Sequence, residues 1–206
     1  MIKAIIFDLD GTLLPSEGLG QKCLNMALKQ YKIKIEDKEY NSDYKGLSVD
    51  DKLEKLYKEK DLDKKHFQEI KDKKVELIIK ELEKSFKPNN NHIDLINFVK
   101  KYYNYKIAIC SNTSRKKLNW YLRHCGFKVD LSLSCDDVEH TKPNPEMYLK
   151  AFDELKAKPA QTVIFEDSKP GKKAAKDAGA HIFPVKTPDD IKLVDLMQFI
   201  YGLINA

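Results

Sequence analysis

The sequence predicts an α/β fold, in which a parallel sheet is covered by helices on both faces and an all-helical segment is inserted after the first strand. Three observations predict it. The apolar run at residues 2–7 has the length and the following turn of a buried strand. About 70 residues with helical spacing come next. Short apolar runs then alternate with amphipathic helices through short connections, as in parallel sheets.

The inserted segment extends from Glu17 to about Phe86. Its apolar residues recur at i, i+3 and i+4, as in Leu53, Leu56 and Tyr57, and it lacks a convincing strand alternation. The Lys-Pro-Asn-Asn-Asn run at 87–91 predicts a linker back to the sheet. The predicted domains are an α/β core, residues 1–15 and 87–206, and a helical insert, residues 16–86.

Beyond the linker, the apolar pattern predicts an alternation of strands and helices. Strands are predicted at 106–110, near 131–133, at 162–165 and at 181–185. Helices are predicted at about 92–103, 114–125, 145–157, 170–178 and 190–203. Short connections between such elements require crossovers, so the strands should be parallel.

Composition narrows the class of protein. The chain has 206 residues, of which 42% are hydrophobic, enough for a globular core. No apolar stretch approaches the roughly 20 residues that span a bilayer, and the N-terminus lacks the pattern of a signal peptide. The four cysteines form no C-x-x-C pair, so reduced thiols are expected. We therefore expect a cytoplasmic protein without a membrane partner.

The net charge of +5 comes with little arginine. All but two of the 37 basic residues are lysine, the exceptions being Arg115 and Arg123. The lysines are interleaved with acids, which is typical of solvated helix faces, and no sustained basic block appears. We therefore expect no nucleic-acid partner, although the surplus charge can attract anionic substrates.

Polar residues follow four predicted strands at the positions where those strands end. They are Asp8 and Asp10 after the first strand, Ser111 and Asn112 after the second, Lys142 in the loop after the third, and Glu166 and Asp167 after the fourth. Ligands of open α/β sheets bind beyond the carboxyl ends of the strands. Ser111 and Thr113 stand at the start of a predicted helix, where a hydroxyl and free amides form an anion site. Carboxylates suit Mg²⁺. The set therefore predicts a divalent cation with a phosphate beside it.

Each piece taken alone has an ordinary structural explanation. Asp8 and Asp10 could belong to an acidic turn, Ser111 could cap a helix, and Lys142 could be a solvated loop lysine. The Glu166-Asp167-Ser168 run could cap the helix that follows it. The placement of all these residues at four strand ends is what such explanations do not account for.

The chain resembles the haloacid dehalogenase-like superfamily of aspartyl-phosphate phosphohydrolases over residues 2 to about 185. Four motifs appear in the family order: Asp8-Leu9-Asp10-Gly11-Thr12-Leu13, Ser111-Asn112, Lys142-Pro143, and Phe165-Glu166-Asp167-Ser168 followed by Gly171. The insert is similar to the helical cap of the subfamily that includes phosphoglycolate phosphatase and β-phosphoglucomutase. The resemblance implies a Rossmann-like core and an all-helical cap.

The resemblance also implies a role for each motif residue. Asp8 would be the nucleophile, Asp10 the acid and base, and Lys142 the cation between nucleophile and phosphate. Ser111 and Asn112 would bind phosphoryl oxygens. Mg²⁺ would be held by the Asp8 side chain, by Asp167 and by the main-chain carbonyl of Asp10. Glu166 would either bind the ion as well or lie next to its ligands. The dehalogenase branch of the superfamily departs from the second aspartate, because release of halide from carbon needs no acid for a leaving alkoxide. Asp10 is kept in this chain, which implies a phosphatase.

The cap is expected to select the substrate, a small phosphorylated metabolite. Lys45 and Gly46 begin a Lys-Gly-x-Ser loop similar to that of β-phosphoglucomutase and are candidate substrate-binding residues. A sugar-phosphate mutase is therefore the alternative activity. Two departures favour hydrolysis: Gly20 stands where the mutase has a histidine, and Val49 where it has the arginine that binds a second phosphate.

Two further alternatives stay open. The chain could be a catalytically idle scaffold that acts as a binding module, although such scaffolds usually lose an acid and none is missing here. The oligomeric state is also open: we expect a monomer and leave a dimer as the alternative.

Overall fold

A five-stranded parallel sheet forms the centre of the computed structural model, which describes residues 1–16 and 18–205. The strands are β1 (Ala4–Phe7), β2 (Lys106–Cys110), β3 (Leu131–Leu133), β4 (Thr162–Glu166) and β5 (His181–Pro184). Their order is β3-β2-β1-β4-β5. Phe7 pairs with Ile109 on one side and with Phe165 on the other. The carboxyl ends of β1, β2 and β4 are therefore level, and the predicted fold class is confirmed.

The insert after β1 is helical, as predicted, and residues 18–86 contain no strand. Its helices are α1 (Leu19–Leu28), α2 (Asp37–Glu39), which continues into a π-helical turn (Tyr40–Tyr44), α3 (Val49–Lys60) and α4 (Phe67–Ser85). Glu17, where the predicted helical region begins, lies outside the described residues. We call residues 18–86 the cap. Its bounds as a domain, 16–86, stay a prediction.

The cap has an apolar cluster of its own, which includes Leu24, Leu53 and Ile70. Helix α4 extends beyond this cluster, and its residues Ile78 and Leu82 pack in the main cluster of the core. A helix that contributes to both clusters fixes the position of the cap over the sheet, because neither cluster can lose its part of α4 without exposing apolar surface.

Helices cover both faces of the sheet because strand residues alternate between the faces. Ile5 and Phe7 lie in one cluster and Ala4 and Ile6 in the other. The first face packs against α5 (Asn90–Tyr103), α6 (Arg115–His124) and α9 (Leu193–Ile204), and the second against α7 (Glu146–Leu155) and α8 (Lys169–Asp177). No helix in the described part of the chain is long and apolar enough to cross a membrane.

Two predicted boundaries differ from the structure. The linker is shorter than 87–91, because α5 begins at Asn90 after the side chain of Asn89 accepts a hydrogen bond from the main-chain N–H of Asn91. The helix after β2 begins at Arg115, and its N-cap is Ser114. The prediction that Ser111 and Thr113 stand at the helix start is therefore wrong, and both belong to the loop before it.

Candidate active site

Lys142 joins two buried carboxylates at the carboxyl end of the sheet. Its Nζ atom lies 2.8 Å from Oδ1 of Asp8 and 2.8 Å from Oε2 of Glu166. It also donates to the main-chain oxygen of Cys110 at 2.8 Å. Lys142 is only 2% exposed. Strand β1 thus delivers Asp8, β4 delivers Glu166, and the loop before α7 delivers the cation that holds them together.

The acidic cluster that could hold a metal ion consists of Asp8, Glu166 and Asp167. One ligand atom from each lies within 4.8 Å of the others. Among the described residues, this is the one group of three or more potential metal ligands that lie so close together. The Asp167 carboxylate also accepts a hydrogen bond from Oγ1 of Thr12 at 3.2 Å. The side chain of Asp10 does not take part in the cluster, and the predicted binding of the metal by the main-chain carbonyl of Asp10 stays a prediction. Oxygen ligands of this type suit Mg²⁺.

The four hydrogen bonds to Glu166 occupy both of its carboxylate oxygens. Oε2 accepts from Lys142 and from the Tyr148 hydroxyl at 2.8 Å, and Oε1 accepts from the main-chain N–H and the hydroxyl of Ser168 at 3.0 and 2.9 Å. Asp8 and Asp167 are therefore better placed than Glu166 to bind a cation directly, while Glu166 orients Lys142.

Burial and crowding perturb the titration of the acids. Burial, with the neighbouring Glu166 charge, raises the pKa of Asp8 well above its ordinary value, although Lys142 opposes the rise. Burial and Glu166 also raise the pKa of Asp167, to about 6. Carboxylates that repel one another in this way favour a divalent cation between them. The donor set therefore fits the magnesium ion that the sequence predicts.

Asp10 is held by a lysine that the sequence did not single out. The Nζ atom of Lys117, on the first turn of α6, forms an ion pair with Oδ1 of Asp10. Burial opposes ionisation of Asp10, but Lys117, with smaller contributions from Ser16 and Lys74, outweighs it, and the pKa of Asp10 lies below its ordinary value. Lys117 is 4% exposed. The signal that could have found it is a lysine at an inward position of an amphipathic helix, beside Leu118 and Tyr121.

The two predicted phosphate-binding residues lie in the loop after β2. Ser111 is buried, and its main-chain N–H donates to Leu133. The side-chain amide of Asn112 joins two loops: Nδ2 donates to the carbonyls of Lys142 at 2.9 Å and Gly46 at 3.3 Å, and Oδ1 accepts from the N–H of Lys142 at 3.0 Å. Asn112 thereby positions the loop of Lys142, and phosphate binding by this loop stays a prediction.

The cap loop with Lys45 and Gly46 lies against the start of α8. Gly46 has φ +84°, and a Cβ atom there would lie 3.0 Å from Cδ of Pro170 and 3.2 Å from Cβ of Ser168. A glycine at this position permits both the positive φ and the close approach of cap and core. The Lys45 charge acts on Asp167, lowering its pKa, so the loop reaches the acidic cluster. Substrate binding by this loop stays a prediction.

A cleft of about 580 Å³ separates part of the cap from the core beside this loop. Ser48 and Asp51 line it from the cap, and Thr141 and Pro143 from the core. A hydrogen bond of 3.2 Å from Oγ1 of Thr141 to Oδ2 of Asp51 spans the two sides. The cap is thus closed over the core, and the cleft lies beside the loop that carries Lys142.

Three cap residues that were not predicted from sequence lie within electrostatic range of Asp10: Tyr40, Lys52 and Lys74. Asp10 acts electrostatically on each of them. Burial, with the Asp10 charge, raises the pKa of Tyr40 to about 12, so its hydroxyl is a donor at neutral pH. A Cβ atom on Gly20 would lie 3.3 Å from that hydroxyl, which shows that Tyr40 takes the space beside Gly20.

The parallel sheet, the acidic strand ends and the helical insert define the class as an α/β enzyme with a candidate site at the carboxyl end of the sheet, beneath the cap. The sequence profile of the haloacid dehalogenase-like hydrolases matches residues 5–185. The chain belongs to this family.

Individual relatives match most of the chain. YhcW of Bacillus subtilis, which is named a putative phosphatase, is 33% identical over an alignment of 190 residues that covers 87% of this chain and 81% of YhcW. The phosphorylated carbohydrates phosphatase of Thermotoga maritima is 28% identical over 86% of this chain and 82% of its own.

Solved structures share the fold. CbbY from Rhodobacter sphaeroides, crystallised with phosphate, superposes with a TM-score of 0.78 at 25% identity and covers 89% of this chain and 87% of its own. β-Phosphoglucomutase from Clostridium difficile superposes with a TM-score of 0.84 over the whole of both chains, and its 20% identity supports the fold alone.

Proposed function

We propose that the protein is a Mg²⁺-dependent phosphatase that hydrolyses a small phosphorylated metabolite through an aspartyl-phosphate on Asp8. The observation that carries the proposal is the position of Lys142, 2.8 Å from both Asp8 and Glu166, beside the acidic cluster. The phosphatase names of two relatives support the same reaction class.

In the first step of this proposal, a carboxylate oxygen of Asp8 attacks phosphorus and the bond to the leaving oxygen breaks. Asp10, which must take up a proton before this step because Lys117 favours its ionised form, gives that proton to the leaving alkoxide. In the second step, water attacks the same phosphorus while Asp10 takes its proton, and the bond to Asp8 breaks to release phosphate. Lys142 stabilises the charge that develops between Asp8 and the phosphoryl oxygens.

The metal would be held by the side chains of Asp8 and Asp167, with the main-chain carbonyl of Asp10 as the further ligand that the family resemblance implies. Bound there, Mg²⁺ supplies the positive charge that lets a carboxylate approach a phosphate dianion. Glu166 would act on the site through Lys142 and Ser168, to which it is hydrogen-bonded.

A trapping experiment tests the covalent step. In a single turnover with a ³²P-labelled alkyl phosphate and Mg²⁺, acid quenching should leave label on the wild-type protein that hydroxylamine releases, as expected of an acyl phosphate. Asp8→Asn should carry no label and release no phosphate. Asp153→Asn, on the exposed side of α7, is the matched control and should behave as wild type. Turnover by Asp8→Asn at the wild-type rate would contradict the proposal.

The alternative of a sugar-phosphate mutase is tested with β-glucose 1-phosphate and a bisphosphate primer. Val49, at the position of the mutase arginine, is 8% exposed and packs in the apolar cluster of the cap, which supports hydrolysis. We expect phosphate release without glucose 6-phosphate. Efficient formation of glucose 6-phosphate would favour the mutase, and the absence of either product for a broad substrate panel would favour the idle scaffold.

A further inference from the structure

Tyr148 contacts both members of a buried ion pair at the carboxyl end of the sheet. Its hydroxyl donates to Oε2 of Glu166 at 2.8 Å, and Nζ of Lys142 lies over its ring, 4.8 Å from the centroid. Tyr148 is fully buried. One side chain thus holds the carboxylate through a hydrogen bond and the ammonium group through its π-face. No step of the proposed reaction uses Tyr148.

The three N–H donors of Lys142 are all used. They are matched by oxygens of Asp8, of Glu166 and of the main chain at Cys110, each at 2.8 Å. Asp8 follows the end of β1, and Cys110 ends β2, so the sheet fixes these two acceptors. The Glu166 carboxylate stands at the end of a longer side chain. The position of Nζ therefore depends on what holds Glu166.

Tyr148 gives Glu166 this support from a helix of the core. It lies in the first turn of α7, and Ala151 and Phe152 of the same helix pack with it in the apolar cluster on the second face of the sheet. Its hydroxyl bonds to the same carboxylate oxygen that Lys142 uses. A tyrosine side chain has two torsions, whereas a lysine has a flexible four-carbon stem. The packed ring therefore confines the lysine more than the lysine can displace the ring.

The loop that carries Lys142 is attached to the same helix. The carboxylate of Glu146, the first residue of α7, accepts hydrogen bonds from the main-chain N–H groups of Glu139 and His140, both at 2.8 Å. Helix α7 thus holds the main chain just before Lys142 and, through Tyr148, the end of the Lys142 side chain. The position of Nζ follows the position of α7.

We propose that Tyr148 is the positioning residue for Lys142 in phosphoryl transfer and keeps Nζ directed at Asp8. Its hydroxyl fixes the oxygen of Glu166 that Lys142 binds, and its ring face confines the ammonium group itself. The inference rests on the proposed function, in which Asp8 is the nucleophile. A cation that is held in place before the substrate arrives needs no reorganisation during transfer, so Tyr148 raises the rate without touching the substrate.

Two substitutions separate the two contacts. Tyr148→Phe removes the hydroxyl and keeps the ring, whereas Tyr148→Leu removes both. The probe is p-nitrophenyl phosphate with Mg²⁺, because nitrophenolate leaves without an acid and the rate then reports attack by Asp8 rather than the action of Asp10. The saturating single-turnover rate constant should fall about 10-fold in Tyr148→Phe and about 100-fold in Tyr148→Leu. The half-saturating substrate concentration should change less than about twofold.

Matched controls remove the same groups at positions away from Lys142. Tyr105→Phe deletes the hydroxyl of a buried tyrosine before β2, at the amino end of the sheet, and Phe152→Leu deletes a buried ring one turn after Tyr148 on α7. Both should keep the wild-type rate constant, and thermal unfolding followed by circular dichroism checks that each variant is folded. Tyr148→Phe conserves the volume of the side chain, so a wild-type rate constant in this variant would overturn the inference whether or not Tyr148→Leu folds. An equal loss of rate in Phe152→Leu and Tyr148→Leu would also overturn it.

A spectroscopic measurement separates this inference from the proposed function. In the metal-free protein labelled with ¹⁵N-lysine, the ring current of Tyr148 should displace the ammonium proton resonance of Lys142 from those of exposed lysines. Loss of a resonance in Lys142→Arg identifies it. The displacement should persist in Tyr148→Phe, with faster exchange with water, and disappear in Tyr148→Leu. This result would support the positioning role even if no phosphate ester were cleaved, an outcome that would contradict only the phosphatase proposal. The same Lys142 resonance in the wild type and in Tyr148→Leu would overturn the inference.

Discussion

Lys117 forms an ion pair with Asp10, a residue 107 positions earlier in the chain. The pair connects α6 of the core to the turn after β1 and keeps the carboxylate of Asp10 ionised in the closed arrangement of cap and core. An acid that must give up a proton to an alkoxide and then take one from water is sensitive to such a neighbour.

We first predict that Lys117→Met raises the pKa of Asp10, because burial then acts on it without the nearest opposing cation. The protonated acid persists to higher pH, so the alkaline limb of kcat for an alkyl phosphate should move to higher pH. A pH–rate profile measures this. Lys116→Met, exposed on the same helix, should leave the profile unchanged. An unmoved limb in Lys117→Met would show that Lys117 does not set the titration of Asp10.

The second prediction concerns Lys142. Lys142→Met leaves Asp8 and Glu166 buried without their cation and should lower the free energy of unfolding by about 3–5 kcal/mol at pH 7. The loss should shrink at pH 5, because protonation of the carboxylates removes the uncompensated charge. Urea unfolding without metal measures it. Lys176→Met, exposed on α8, should change the free energy by less than about 0.5 kcal/mol.

The same Lys142→Met variant should lose about 10²- to 10³-fold in kcat with Mg²⁺ present, since Lys142 touches the proposed nucleophile. A loss of stability without a loss of kcat would assign Lys142 a structural role only.

Third, Gly11→Ala should abolish stabilisation by Mg²⁺. Gly11 has φ +86°, and a Cβ atom there would collide with the carboxylate of Asp167. For the wild type, Mg²⁺ at 100 times its Kd should add about 2.7 kcal/mol to the free energy of unfolding. Unfolding with Mg²⁺ and with EDTA measures this. Gly202→Ala, where an added Cβ meets open space, is the control and should keep the full effect. Full Mg²⁺ stabilisation of Gly11→Ala would argue against Asp167 as a ligand.

The fourth prediction concerns the stability cost of Lys52. Its folded pKa of about 7 lies below the ordinary 10.5, so the unfolded chain binds more protons between those pH values. Stability of the wild type should therefore rise with pH across that interval. The charges that act on Lys52 come from Lys74, Asp10, Lys117 and Asp51.

Lys52→Met removes this titration. Below pH 7, the substitution should raise the free energy of unfolding by at most a few kcal/mol, since each unit of pKa shift corresponds to about 1.4 kcal/mol. This gain should decrease as the pH rises and vanish near pH 10.5. Lys58→Met, exposed on the same helix, should leave the pH dependence as in the wild type. A gain that is independent of pH would show that Lys52 is not a strained cation in the folded protein.

The sequence by itself determined the fold class and the residues at the strand ends. Strand and helix periodicity are local properties, and the apolar run before Asp8 or the turn after Glu166 needs only a few neighbouring residues to be recognised. Because parallel strands end at a common edge, the sequence also predicted that Asp8, Lys142, Glu166 and Asp167 meet, and the structure brings them together.

Only the tertiary structure decided which lysines surround Asp10. Lys52, Lys74 and Lys117 look like members of solvated helix faces, as most lysines of this chain are. Lys117 contacts Asp10, and the Asp10 charge acts on Lys52 and Lys74, because α4 contributes to both apolar clusters and holds the cap against the core. Contacts between helices far apart in sequence depend on how their buried faces pack, and that packing is the property that a single sequence does not display.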